Sequence, residues 1–89
     1  METLHSIITG QSQDEYFLAW IEEQATALNL TGWARHLSDT EVEIIAQGDQ
    51  DDARALLEKL MSGSVMTGAN SVTEDWLENY SPHDIFEIR

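Results

Sequence analysis

The sequence has no cysteine and almost no positive charge. Without cysteine there are no disulfides, no thiol nucleophile and no thiolate metal ligands. Such a chain suits a reducing compartment, and the cytoplasm is the expected location. The four bases, Arg35, Arg54, Lys59 and Arg89, face 17 acids, for a net charge of −13, and the first 34 residues contain none of the four. Nucleic acid and anionic membrane surfaces are excluded as expected partners, because each phosphate neutralised requires a Lys or Arg. The acidity serves solubility or suits a basic protein partner. No apolar run approaches the ~18 residues of a membrane span. The opening M-E-T-L-H-S lacks the basic region of a secretory signal. No G-x-S-x-G, H-E-x-x-H or Walker pattern occurs, so no cofactor and no dedicated metal site are expected.

What remains is an ordinary globular composition, 42% apolar with three Trp. At 89 residues it makes one domain, 1–89, expected to be monomeric and to bury roughly 60–65% of its unfolded surface.

Periodicity divides the chain into alternating elements. Leu4 to Thr9 reads as a strand closed by Gly10. Phe17, Trp20, Ile21, Ala25 and Leu28 recur at helical spacing, and Asn29 ends that helix. T-G-W-A-R-H-L, Thr31 to Leu37, and Glu41 to Gln47 read as a hairpin about a Ser38-Asp39 turn, with Val42, Ile44 and Ala46 on one face. A second helix starts at Gly48-Asp49 and carries Ala53, Leu56, Leu57 and Leu60 in one stripe. Ser62 to Gly68 reads as a Ser/Gly-rich connection, Ser71 to Trp76 as a fourth strand and Ile85 to Ile88 as a short fifth. The order β-α-β-β-α-β with a short fifth strand predicts an α+β ferredoxin-like sandwich, an antiparallel sheet with two helices on one face.

Three stretches carry a resemblance to a known family. They are L-N-L-T-G-W-A-R-H-L (Leu28 to Leu37, with the pair Gly32-Trp33), V-E-I-I-A-Q-G (Val42 to Gly48) and the terminal F-E-I-R. The chain resembles the acylphosphatases, which hydrolyse the carboxyl-phosphate bond of acyl phosphates. The resemblance implies the same ferredoxin-like fold. It also implies a loop after the first strand that cradles phosphate with backbone amides, here Gly10, Gln11, Ser12, Gln13, Asp14, Glu15, Tyr16 and Phe17. Gly10, Gln13 and the aromatic pair Tyr16-Phe17 keep the family's pattern.

The pattern breaks where the family's chemistry is carried. The phosphate-clamping arginine position is Leu18, and the water-positioning asparagine position is His36. The central glycine of the loop is Asp14, and its first basic residue is Gln11. Loss of one arginine contact in phosphoryl transfer costs on the order of 10³–10⁵ in rate. Loss of an oxyanion-type or water-positioning donor costs a further ~10²–10³. The expected function is therefore a catalytically degenerate acylphosphatase-like domain that binds a protein or small-molecule partner. The alternative is a functional acylphosphatase working weakly or with non-standard residues.

Ser12 and Glu15 fit an S-x-x-E capping box, and Asp14 fits an N-cap, so a carboxylate is expected to occupy the helix amides that a phosphate would take. The bland reading has these acids in water. His36 with Asp14 and Glu15 offers one imidazole and two carboxylates, a set that suits a divalent metal or an acid–base pair but lacks a supporting motif. His5 and His83 are expected at the surface or an edge. Asp49, Asp51 and Asp52 are read as helix capping, since the D-x-D-x-D-G calcium loop is absent. Trp20, Trp33, Phe17 and Phe86 are expected in the core.

Overall fold

The computed structural model describes residues 2–10, 15–67, 69–78 and 81–89, without the side chains of residues 2, 15–16, 62–67 and 69–70. The elements run β1 (Glu2–Gly10), α1 (Glu15–Ala27), β2 (Thr31–Ser38), β3 (Glu41–Gly48), α2 (Gln50–Thr67), β4 (Ala69–Val72), β5 (Asp75–Leu77) and β6 (Phe86–Ile88). They build one sheet in the order β4-β1-β3-β2-β6, with β5 also on β1. Both helices pack against it, α1 over β2 and β6 and α2 over β1, β3 and β4.

The stripes expected from the sequence are the ones buried. Phe17, Ile21 and Ala25 from α1 meet Ala53, Leu56, Leu57 and Leu60 from α2, over Leu4 and Ile8 of β1 and Val42, Ile44 and Ala46 of β3. Trp20 and Leu28 border this core. The end of α1 is built by Asn29, which holds φ 59 in the left-handed region. The Leu30 amide reaches back to Ala25 O at 2.9 Å and the Asn29 amide to Thr26 O at 3.0 Å. This is a Schellman closure with Asn in place of Gly, and it seats Leu30 in the core. At the start of α2, Asp49 Oδ1 accepts from the Asp51 amide at 2.9 Å. Asp49 is thus the N-cap, as the sequence led one to expect.

Three elements differ from the sequence reading. Ser62 to Thr67, expected as a connection, continues α2. Ser and Gly lower helix propensity by up to about 1 kcal/mol each, which the packing of α2 along the sheet overrides. The expected fourth strand is interrupted at Thr73–Glu74, yet β4 and β5 keep one register on β1, from Ile8↔Val72 to His5↔Asp75. At the interruption Ile7 N donates to Thr73 Oγ1 at 2.8 Å, and Ser6 Oγ donates to Thr73 O at 2.7 Å. Side-chain hydroxyls there replace rungs of the backbone ladder. Finally, β6 pairs with β2 in parallel, while every other pairing is antiparallel.

The face of the sheet away from the helices is not left to solvent. Thr3, Trp33, Ile45 and Gln47 are buried there. Gln47 alternates with Ala46 and so lies on the face opposite the helices, yet it is not solvated. Instead, its Nε2 donates to Ser81 O at 2.7 Å and its Oε1 accepts from the His83 amide at 2.8 Å. Ser81 and His83, on the way into β6, are tied to that face through the Gln47 side chain.

Candidate functional site

Strand direction decides where the candidate residues meet. β1 and β2 both pair antiparallel with β3, so they run the same way and finish at the same end of the sheet. That end carries Gly10, the start of α1 and His36. The Gly10 amide donates to Thr40 O at 2.9 Å, tying the loop's first residue to the β2–β3 turn. His36 lies opposite Val42, which lies opposite Ile8, so His36 shares the helix-covered face and ends up exposed at its rim. A register shift between His36 and Ser38 leaves Leu37 unpaired and exposed. Such a bulge bends the strand end where it meets the loop.

Leu18 lies in the first turn of α1 and points inward. It is 4% exposed and belongs to the apolar core with Phe17 and Ile21. Gln11, Ser12, Gln13 and Asp14, with the side chains of Glu15 and Tyr16, fall outside the described residues. So do the capping box, the Asp14 N-cap and the grouping of His36 with Asp14 and Glu15. Among the described residues no three His, Asp or Glu side chains come together to hold a metal. No helix among them is long and apolar enough to cross a membrane.

Three of the four bases are committed elsewhere. Arg35 points to the opposite face from its neighbour His36 and pairs with Glu43 at 2.8 Å. Arg89 pairs with Glu87 at 3.0 Å, and Arg54 approaches Glu74 at 3.7 Å. Lys59 is exposed on α2. Arg35 and Arg89 both lie over the Trp33 ring, 5.0 and 5.2 Å from its centroid.

The sequence put His5 at the surface or an edge and did not show its partner. His5 Nε2 donates to Glu43 Oε2 at 2.8 Å, while Glu43 Oε1 accepts from Arg35 Nε at 2.8 Å. Burial alone would push the Glu43 carboxyl up, but hydrogen bonds from His5 and Arg35, with their charges, hold it below its ordinary 4.5. The network joins β1, β3 and β2 across the sheet, and no local pattern announces it.

A groove was also invisible in the sequence. A groove of about 550 Å³ opens between α1, the start of β2 and the approach to β6, with Glu22, Thr26, Leu30, Asp84, Ile85 and Phe86 among its lining. It lies at the opposite end of β2 from His36.

Comparison with known proteins places this geometry. The family model described as Acylphosphatase matches residues 4–88. An acylphosphatase of Caldanaerobacter subterraneus subsp. tengcongensis is 32% identical over 87 residues, covering 98% of this chain and 97% of the relative. One from Thermobifida fusca is 37% identical over 82 residues, covering 92% and 90%. The crystal structure of acylphosphatase from Bacillus subtilis superposes with a TM-score of 0.91 at 24% identity, covering 100% of this chain and 99% of that one. The acylphosphatase of Coxiella burnetii gives a TM-score of 0.81 at 26% identity, covering 99% and 93%.

Proposed function

The chain belongs to the acylphosphatase family, and from that premise we propose that it is a member whose phosphate clamp is lost and whose role is to bind a partner. The observation that carries the reading is Leu18, packed into the core at the position where the family resemblance puts the arginine. Leucine offers a phosphate neither charge nor donors, and this one is buried. The second support is charge. Three of the four bases already face carboxylates, so a dianionic substrate would enter a strongly negative field poorly offset. In this reading a carboxylate from Asp14, or a Ser12–Glu15 capping box, occupies the helix amides that a phosphate would take. His36 stands where the family's asparagine would be and leaves water unpositioned.

The partner is a protein or small molecule, basic rather than acidic. The chain acts as a monomeric single domain without a cofactor. A cysteine-free chain suits the cytoplasm.

The second reading is a working acylphosphatase, and the names of its relatives favour it. Benzoyl phosphate hydrolysis separates the two. The native chain is expected at the uncatalysed rate. The combined variant Asp14→Gly, Glu15→Gln, Leu18→Arg, His36→Asn is expected to gain at least ~10³-fold, since these groups act as a unit. Native turnover equal to that of the variant overturns the degenerate reading in favour of the enzyme.

A further inference from the structure

We infer that the groove between α1 and β6 docks an extended Lys- or Arg-bearing segment of a partner protein, which adds to the sheet as a strand beside β6. The inference rests on the reading of the chain as a binding module, and it assigns that module a surface remote from the phosphate loop.

Shape is the first argument. Leu30 and Phe86 are buried at the groove, but Ile85 beside them is 64% exposed, and Ile88 on β6 is 41% exposed. These two large aliphatic side chains, three positions apart and so on opposite faces of the extended chain, leave apolar surface exposed on both sides of this edge.

Backbone geometry is the second. β6 is the outermost strand beyond β2 among the described residues. Gly32 N donates to Ile85 O, and Arg89 N donates to Ala34 O, each at 2.9 Å. In a parallel ladder these bonds commit residues 85, 87 and 89 to β2. The amides and carbonyls of Phe86 and Ile88 therefore face outward. An open edge of this kind templates another strand, main-chain bonds giving affinity and alternate side chains giving selectivity.

Charge selects the occupant. Glu22 and Asp84 line the groove, and no Lys or Arg does. Arg89, the base on this edge, is tied to Glu87 and lies over Trp33 on the other face. A second copy of this chain would bring −13 against −13, with Glu22 and Asp84 facing their own images across an isologous contact. An extended basic segment meets no such penalty. Cationic side chains on the face of the added strand turned toward the groove meet Glu22 and Asp84 there.

The probe is acetyl-Lys-Val-Lys-Ile-Lys-amide, titrated at low salt into the isotopically labelled chain and followed by amide shifts. Saturable shifts are expected at Phe86, Ile88 and the Glu22–Thr31 region. They should vanish for the same peptide N-methylated at Val and Ile, and for Glu-Val-Glu-Ile-Glu. Glu22→Lys with Asp84→Lys should weaken binding about five- to tenfold, the size of two exposed ion pairs. Ile85→Ser, at an exposed position that folding does not need, should weaken it as well. The inference is overturned by any of three results. The first is no saturation up to about 2 mM, weaker than the millimolar end of the affinity scale. The second is an equal response to the N-methylated peptide, which means unspecific charge attraction. The third is concentration-dependent shifts of β6 without peptide, which give the edge to a second copy. Benzoyl phosphate hydrolysis, read separately, reports on the module reading itself. A hydrolytically inert chain that ignores the peptide loses only this surface, whereas an active one loses the module reading.

Discussion

A side chain on Gly32 would run into the carbonyl oxygen of Ile45, and the backbone there has φ +133, where L residues are strained. Gly32 lets β2 approach β3 closely just before Trp33. Gly32→Ala should therefore cost about 2–5 kcal/mol, strain and overpacking together. Urea unfolding checks it, and a loss below about 1 kcal/mol would mean the strand relaxes freely. Leu18 makes the opposite case, a position where the resemblance suggests a charge and the fold has placed an apolar side chain. Leu18→Arg removes a buried leucine and brings a guanidinium to the edge of the core. The expected cost is about 2–4 kcal/mol with no gain in hydrolysis on its own. Unchanged stability together with new phosphate binding would show that the clamp position had stayed open.

At the scale of elements, the three central strands are joined by one carboxylate. Glu43 on β3 holds Arg35 of β2 and His5 of β1, and its pKa in the folded chain lies below 4.5. The depressed carboxyl contributes stability above its unfolded pKa, and that contribution is lost as pH falls through the lower folded value. Stability should thus drop on acidification below pH 4.5. In Glu43→Gln that part of the slope should be missing, as read from urea midpoints across the acid range. An identical slope in both proteins would assign the acid sensitivity to other carboxylates. The network was not legible because His5, Arg35 and Glu43 look like three solvated positions until strand order sets them side by side. By contrast, the helix stripes and the Asp49 cap were legible, since they depend only on neighbours within a few residues. The extension of α2 through Ser62–Thr67 was not, because Ser and Gly have low helix propensity.

For the whole molecule, two electrostatic effects compete. Salt weakens the few ion pairs, Arg35–Glu43 among them, and it also screens the mutual repulsion of 17 acids. Exposed pairs contribute at most about 1 kcal/mol each, and there are four bases to make them, so relief of repulsion should win. Raising NaCl from about 0.02 to 0.5 M, which shrinks the Debye length several-fold, should raise the melting temperature by about 4–8 °C, equivalent to ~1 kcal/mol. A fall on adding salt would mean the ion pairs outweigh the net charge.

The alternation of strand and helix, the two apolar stripes and the cap of α2 follow from the sequence by itself, because periodicity and capping are local properties of the chain. The family resemblance likewise pointed to Leu18 and His36 as the positions to look at. Tertiary structure alone decided that Leu18 lies in the core while His36 stands exposed at the rim. It also decided that β4 and β5 share one register, that β6 is parallel, and that Gln47 is buried under the segment leading to it. Each of these depends on which distant strand lies alongside, and side-chain period fixes the face of a strand without naming its neighbour. The groove at β6 is the clearest case, for Glu22 and Asp84 become one acidic rim only when β6 closes the sheet beside β2.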